Sequence, residues 1–337
     1  MAATKVFDLH CDTIDALAMR DATDFAAMVG TIEGDMASNT LQLAFDRMLG
    51  VGPWCQCYAV WVPDDLSLFS AEDPLSFYRI ARDYFKQQMV ANSQLVAQVR
   101  DAREIDDVLA SGRVAAMLTV ENGSPIGHDL SVVDELAEDG VKMLTLTWNG
   151  KNSIASGSDT NDGLSSFGRE VVRALEDNKI VVDVSHLNDE GFWDLMKVVR
   201  RPIAASHSNL RALCSHSRNL TDDQFRAIMD TGGIVGLNYF RGFVSERYVR
   251  DGWVLHDDGE VTMDELCAHI ERFLDLGGEN HISLGSDFDG SETPEWLSSA
   301  EHVADFHTEV LSRFGSSIAE KLFFENARAF FLRNETA

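Results

Sequence analysis

The chain has 337 residues, 45% of them hydrophobic, and carries 28 Lys and Arg against 55 Asp and Glu, a formal net charge of −27. A field of that sign repels nucleic acid and anionic membrane surfaces, and with no 18-residue uncharged apolar run there is no membrane-spanning helix to expect. Five cysteines (Cys11, Cys55, Cys57, Cys214, Cys267), odd in number and unevenly spaced, argue against a disulfide framework, and the opening stretch MAATKVFDLHCDT has no signal-peptide pattern, so a cytoplasmic protein is expected.

Residues 6–12 (VFDLHCD) read as a first strand whose alternation sets Asp8, His10 and Asp12 on one side. A His-x-Asp pair there offers one nitrogen and one oxygen ligand to a divalent ion. Residues 13–50 read as helices with loops. The second strand, residues 55–62 (CQCYAVWV), carries Cys55 and Cys57 on one face, where they read as packing rather than as a metal site. Asp73-Pro74 opens a long helix as N-cap and first-turn proline. Its stripe of Phe77, Ile80, Tyr84 and Gln88, flanked by Ala81, Phe85 and Met89, reads as core.

Residues 114–120 (VAAMLTV) form a third strand ending at Glu121, and residues 141–147 (VKMLTLT) a fourth ending at Trp148-Asn149. The polar, glycine-rich residues 149–163 suit a loop over the strand ends. The next helix buries Phe167, Val171, Ala174 and Leu175. Residues 180–184 (IVVDV) and 203–205 (IAA) are short apolar runs typical of strands buried on both faces, and the helical stretch 189–199 between them makes a parallel β-α-β unit. His186 and His207 follow these two strands, so both point into one space. Capping boxes begin at Thr221 and Thr262; residues 232–238 and 282–286 are the seventh and eighth strands, the last ending at Asp287, and helices fill the rest to Arg333.

Eight strands with helical segments between them predict an α/β protein, a single (β/α)8 TIM-type barrel spanning residues 1–337, with its active site at the C-terminal ends of the strands. His10, Asp12, Glu121, Asn149, His186, His207 and Asp287 all fall at such ends. Three histidines and three carboxylates suit two divalent ions rather than one. Paired ions serve hydrolysis by polarising a carbonyl and holding a hydroxide, with a remaining carboxylate carrying protons. Arg218 is either a ligand for a substrate carboxylate or a salt-bridge partner in an acidic protein. His216 and His128 sit in loops, and His256, His269, His281, His302 and His307 lack the strand-end pattern. Ser185 and Ser206 precede histidines and should face away from them, which argues against a serine nucleophile. No glycine-rich dinucleotide motif follows a strand.

The stretches DLHCDT, GREVVRALE, VVDVSH, ASHSN, HSRNLTD and GSDFDG, in this order, resemble the renal (membrane) dipeptidase family of zinc peptidases in the amidohydrolase superfamily. The resemblance implies one metal on His10 and Asp12, another on His186 and His207, Glu121 bridging them, and zinc as the ion. It implies Asp287 as the acid/base carboxylate and Arg218 as the anchor for the C-terminal carboxylate of a dipeptide, including dipeptides with a C-terminal D-residue. Homodimers are the family's common state. One position departs: many members carry a histidine after the LTLT run, and here it is Trp148, which donates one hydrogen bond but cannot titrate. Asn149 or Asn152 could replace the lost oxyanion donor. Two other readings stand beside a binuclear zinc dipeptidase: a related amidohydrolase acting on another small amide, and a catalytically weak metal-binding homologue.

Overall fold

The computed structural model describes residues 4–20, 31–67, 69, 71–248 and 260–336. Its strands are β1 (Val6–Asp8), β2 (Trp54–Trp61), β3 (Val96–Gln98), β4 (Val114–Glu121), β5 (Val141–Thr145), β6 (Val181–Asp183), β7 (Ala204–Ala205), β8 (Ile234–Leu237) and β9 (Ile282–Leu284). All pairings between them are parallel. β1 pairs with β2 on one side and, through Asp8 and Leu284, with β9 on the other; β2 runs along β4 from Cys55 opposite Ala115 to Trp61 opposite Glu121. The pairings β4-β5-β6-β7-β8-β9 complete the circle, so eight strands close into the expected TIM-type barrel.

The barrel carries a ninth strand, β3, beyond the eight that the sequence pattern shows. It pairs with residues 114–116 of β4, while β5 takes Leu118 to Glu121 on that same edge across a register shift. β5 alone leaves the lower half of β4 without backbone partners, and β3 supplies them. Three residues are too few to show a period, which is why the pattern missed it.

One apolar cluster draws Phe7, Cys57, Met117, Met143, Val181 and Ile234 from six different strands. Residues from so many strands meet only inside a barrel. Phe324, Phe330 and Phe331, in and just before the helix Asn326–Thr336, join them from below, with the Phe7 and Phe331 rings stacked 5.5 Å apart. The lower end is thereby filled, and the polar strand ends lie at the other. Cys55 and Cys57 pack here, as their spacing suggested.

A larger cluster lies between strands and helices. The helix Pro74–Ala91 begins where Asp73 accepts from the Ser76 N–H, and it buries Phe77, Tyr78, Ala81, Phe85 and Met89. Its buried stripe lies one step round from the expected one, leaving Ile80 46% exposed. Thr221 and Thr262 close the capping boxes read from the sequence, with Gln224 and Glu265. The crossover helix after β6 is shorter than expected, Asp189–Leu195. Of the stretch 13–50, the described helices are Thr13–Ala18 and Phe45–Val51; residues 21–30, like His256, lie outside the described residues.

Candidate metal centre and cleft

Regular pairing ends before most of the polar side chains begin. β1 stops at Asp8, β6 at Asp183 and β9 at Leu284, and the chain then kinks into the site. His186 and Asp287 sit at φ +71 and +62, in the left-handed region that side-chain-bearing residues seldom occupy. Two buried carboxylates hold these kinks. Asp183 accepts from the backbone N–H groups of Ser185 and Ser206 at 3.0 and 2.8 Å and from the hydroxyls of Thr145 and Ser206 at 2.6 Å each. Asp8 does the same for the last strand, accepting from the Ser286 N–H and hydroxyl at 2.8 and 2.6 Å and from Gln56 Nε2 at 2.9 Å. Asp8 therefore does not join His10 and Asp12 as the alternation suggested, because alternation fails where the strand ends.

Glu121, at the last position of β4, stands between two sets of side chains. Its Oε1 lies 2.6 Å from His186 Nε2 and 3.7 Å from His207 Nε2. Its Oε2 lies 3.5 Å from His10 Nε2, which is itself 3.4 Å from Asp12 and 3.8 Å from Asp287. Three groups of three potential ligands result: His10-Asp12-Glu121, Glu121-His186-His207 and His10-His207-Asp287.

The surroundings of the rings show what these atoms want. Asn149 Oδ1 lies 2.7 Å from His186 Nδ1, and an amide oxygen only accepts, so the ring proton sits on Nδ1. The Ser206 hydroxyl proton is committed to Asp183, so Ser206 Oγ, 2.8 Å from His207 Nδ1, accepts there too. Both Nε2 atoms then carry bare lone pairs, facing each other at 3.1 Å beside a carboxylate oxygen. Burial, with Arg218 and His10 nearby, holds both histidines well below their ordinary range and so neutral. Burial also drives Glu121 and Asp287 upward. For His10, burial pushes down, but Asp12 and Glu121 outweigh it. Converging lone pairs and carboxylates in a buried site, with His10 Nε2 and Asp12 Oδ1 lacking any hydrogen-bond partner, fit divalent cations.

The cluster opens into a cleft of about 880 Å³ lined by Asp15, Trp61, Trp148, Arg218, Phe240 and Phe243, among others. Arg218 is only 4% exposed, lies over the Phe243 ring at 5.3 Å, and has no hydrogen-bond partner for Nε or Nη2. Burial pushes its pKa down to about 10. The Trp148 indole meets the Trp61 ring edge-on at 5.1 Å and lies 6.2 Å from the His186 ring.

A sequence profile of the membrane dipeptidase family, peptidase family M19, matches residues 1–332. The chain belongs to this family. A metallopeptidase from Rhodobacter sphaeroides, solved with a phosphinate mimic of the dipeptide L-Ala-D-Ala, is 25% identical and superposes with a TM-score of 0.86, covering 98% of this chain and 99% of its own. The dipeptidase AC, an M19 metallopeptidase, is 26% identical with a TM-score of 0.84 over 99% and 100% of the two chains. Among curated relatives, an uncharacterised protein from the pqqA 5′ region of Klebsiella pneumoniae is 37% identical over 47% of this chain, and the uncharacterised dipeptidase C965.12 of Schizosaccharomyces pombe 27% identical over 69% of it. The chain spans about three-fifths of the length of these two, 59% and 58%. No helix among the described residues is long and apolar enough to cross a membrane.

In this M19 chain His10, Asp12, Glu121, His186, His207 and Asp287 come together from the ends of five strands, and Arg218, Trp148 and Asn149 line the adjoining cleft. Two expectations need correction. Asn152 is no free donor: its Nδ2 is spent on Asn122 Oδ1 and the Leu146 carbonyl, and its Oδ1 accepts from the N–H groups of Ile154 and Ala155. Ser206 does not face away from its histidine, because the kink after β7 turns its hydroxyl onto the His207 ring. Asn238, whose Nδ2 donates to Asp287 at 3.1 Å, was missed although it too ends a strand-like run. Asp15, in the cleft one helical turn after Asp12, carried no sequence signal.

Proposed function

We propose that this chain is a dipeptidase holding two divalent ions, zinc by the chemistry of the donors: His10 and Asp12 hold one, His186 and His207 the other, and Glu121 lies between them. Such a pair, when bound, polarises the scissile carbonyl and supplies a water-derived nucleophile at neutral pH. The protein's own groups do the rest. Asn149 and Ser206 fix the two histidine tautomers so that each presents Nε2. Asn238 holds one oxygen of Asp287, leaving the other on the His10 side, where it can take a proton from the attacking water and return it to the leaving amine. Arg218 receives the C-terminal carboxylate.

Arg218 carries the reading. A buried guanidinium with two unpartnered donor atoms beside a metal-type cluster is a site waiting for an anion, and a free dipeptide brings a carboxylate to that spot. The Rhodobacter sphaeroides structure with the L-Ala-D-Ala mimic supports a substrate of this size, including a C-terminal D-residue. The experiment is turnover of free L,L- and L,D-dipeptides by zinc-reconstituted protein, with C-terminal amides and a chelator as controls. Chelator-sensitive cleavage of free dipeptides, with amides much slower, is expected. No turnover of any dipeptide by protein that still binds two ions would move the assignment to another small amide, the reading favoured by Trp148 standing beside His186.

A further inference from the structure

Asp15 is a buried carboxylate that the metal cluster does not use. It is 2% exposed and lines the cleft. Its Oδ2 accepts from the Trp61 backbone N–H at 2.6 Å, and its Oδ1 is buried without a partner. The rule that buried polar atoms are paired makes such an atom informative, because stranding an acceptor costs free energy that a suitable ligand recovers.

The corner it occupies has a place along a bound dipeptide. Glu121 Oε1 faces His186 and His207 while its Oε2 faces His10, the neighbour of Asp12; Arg218 is felt by the first pair, and by Asp287 and Glu121 as well. Asp15 follows Asp12 by one helical turn and feels Asp12 and Glu121, at the other side. A dipeptide anchored by its carboxylate on Arg218, with its scissile carbonyl at the cluster, therefore sends its N-terminal residue toward Asp15. The walls there are the indoles of Trp61 and Trp148, which meet at 73°. Aromatic walls suit an alkyl stem and attract a cation, and a carboxylate with a free oxygen suits a cationic head. Among the described residues, Arg218 is the one Lys or Arg that lines the cleft, so no lysine or second arginine competes for Asp15 there.

We infer that Asp15 is a specificity-determining residue, selecting dipeptides whose N-terminal residue bears a cationic side chain, lysine or arginine. An aliphatic side chain offers Oδ1 no donor, whereas a side-chain ammonium or guanidinium pairs with it; the α-ammonium common to all free dipeptides cancels in the comparison of lysine with norleucine. This inference rests on the dipeptidase reading above.

The test compares kcat/KM for Lys-Gly, Arg-Gly, Gln-Gly and norleucyl-Gly in the zinc-loaded wild type and in Asp15→Asn. Asparagine keeps an oxygen for the Trp61 N–H, and the ratio of two substrates within one enzyme cancels differences in folding and metal loading. The wild type is expected to favour Lys-Gly over norleucyl-Gly by ~10- to 100-fold, the worth of a hydrogen bond to a charged group, and Asp15→Asn to lose most of that ratio. Equal rates for Lys-Gly and norleucyl-Gly in the wild type would overturn the inference without any variant. So would Gln-Gly surpassing Lys-Gly, or a preference that survives Asp15→Asn. In those cases dipeptides are still cleaved and the dipeptidase reading stands. Cleavage of other free dipeptides but none of these four would likewise overturn the inference alone, whereas no turnover of any free dipeptide would remove the dipeptidase reading and the inference with it.

Discussion

Arg218→Met separates binding from stability in a way that only an anion-binding arginine should. Methionine keeps an apolar stem against Phe243 and removes the charge. In the free protein the guanidinium is buried with Nε and Nη2 unpartnered, and burial, only partly offset by Glu121 and Asp287, lowers its pKa to about 10. That depression corresponds to roughly 3 kcal/mol of destabilisation of the charged form at neutral pH. The sign follows from linkage: a cation whose folded pKa is depressed burdens the folded state at every pH below that pKa. Removing it should leave Tm unchanged or raise it by a few degrees, as about 1–3 kcal/mol would in a chain of this size. In the complex the loss is a charge-assisted, two-point contact worth about 2–3 kcal/mol, so KM for free dipeptides should rise ~30- to 100-fold while the corresponding C-terminal amides change little. The assays are thermal melts and steady-state kinetics on matched acid and amide substrates. A lower Tm with equal losses on acids and amides would show Arg218 to be a structural cation, and the argument from its stranded donors would fail.

Three further outcomes follow from the same geometry. Asp287→Asn should retain both ions by elemental analysis and lose ~10²- to 10⁴-fold in kcat, as for a proton-transfer group; loss of an ion instead would mark Asp287, which also lies within reach of His10 and His207, as chiefly a ligand. Asn149→Ala frees the tautomer of His186 and should weaken zinc binding ~10- to 100-fold in chelator competition; an unchanged affinity would mean the ring is held by packing. Asp139, buried against Tyr78, Arg82 and Lys86, is pushed up by burial but held below its ordinary range by hydrogen bonds from those three groups. Its stabilisation is complete above the unfolded aspartate pKa of about 4 and disappears as pH falls through the lower folded value. Asp139→Asn should therefore lower Tm at pH 6 and narrow the gap to wild type below about pH 4, whereas a constant gap would contradict the linkage.

Much of this protein is written locally. The apolar runs of β4, β6 and β7 identify buried parallel strands because both their faces are covered, and parallel strands of one barrel must end at one rim. That topological necessity brings His10, Glu121, His186, His207 and Asp287 together in the structure, although up to 277 positions separate them in the chain. The capping boxes at Thr221 and Thr262 are equally local and form as read. Other features depend on surroundings that no local pattern encodes. β3 exists because β5 leaves half of an edge open. Asp8 separates from His10 because pairing stops between them, and Ser206 turns onto His207 because Asp183 kinks the chain there. Asn152 and Asn149 look alike in sequence, yet the first closes a loop and the second orients a histidine. Whether Arg218 and Asp15 are paired or stranded is a property of everything packed around them. Sequence period reports which face is buried, but satisfaction of a buried polar atom is decided only by the neighbours that tertiary structure supplies.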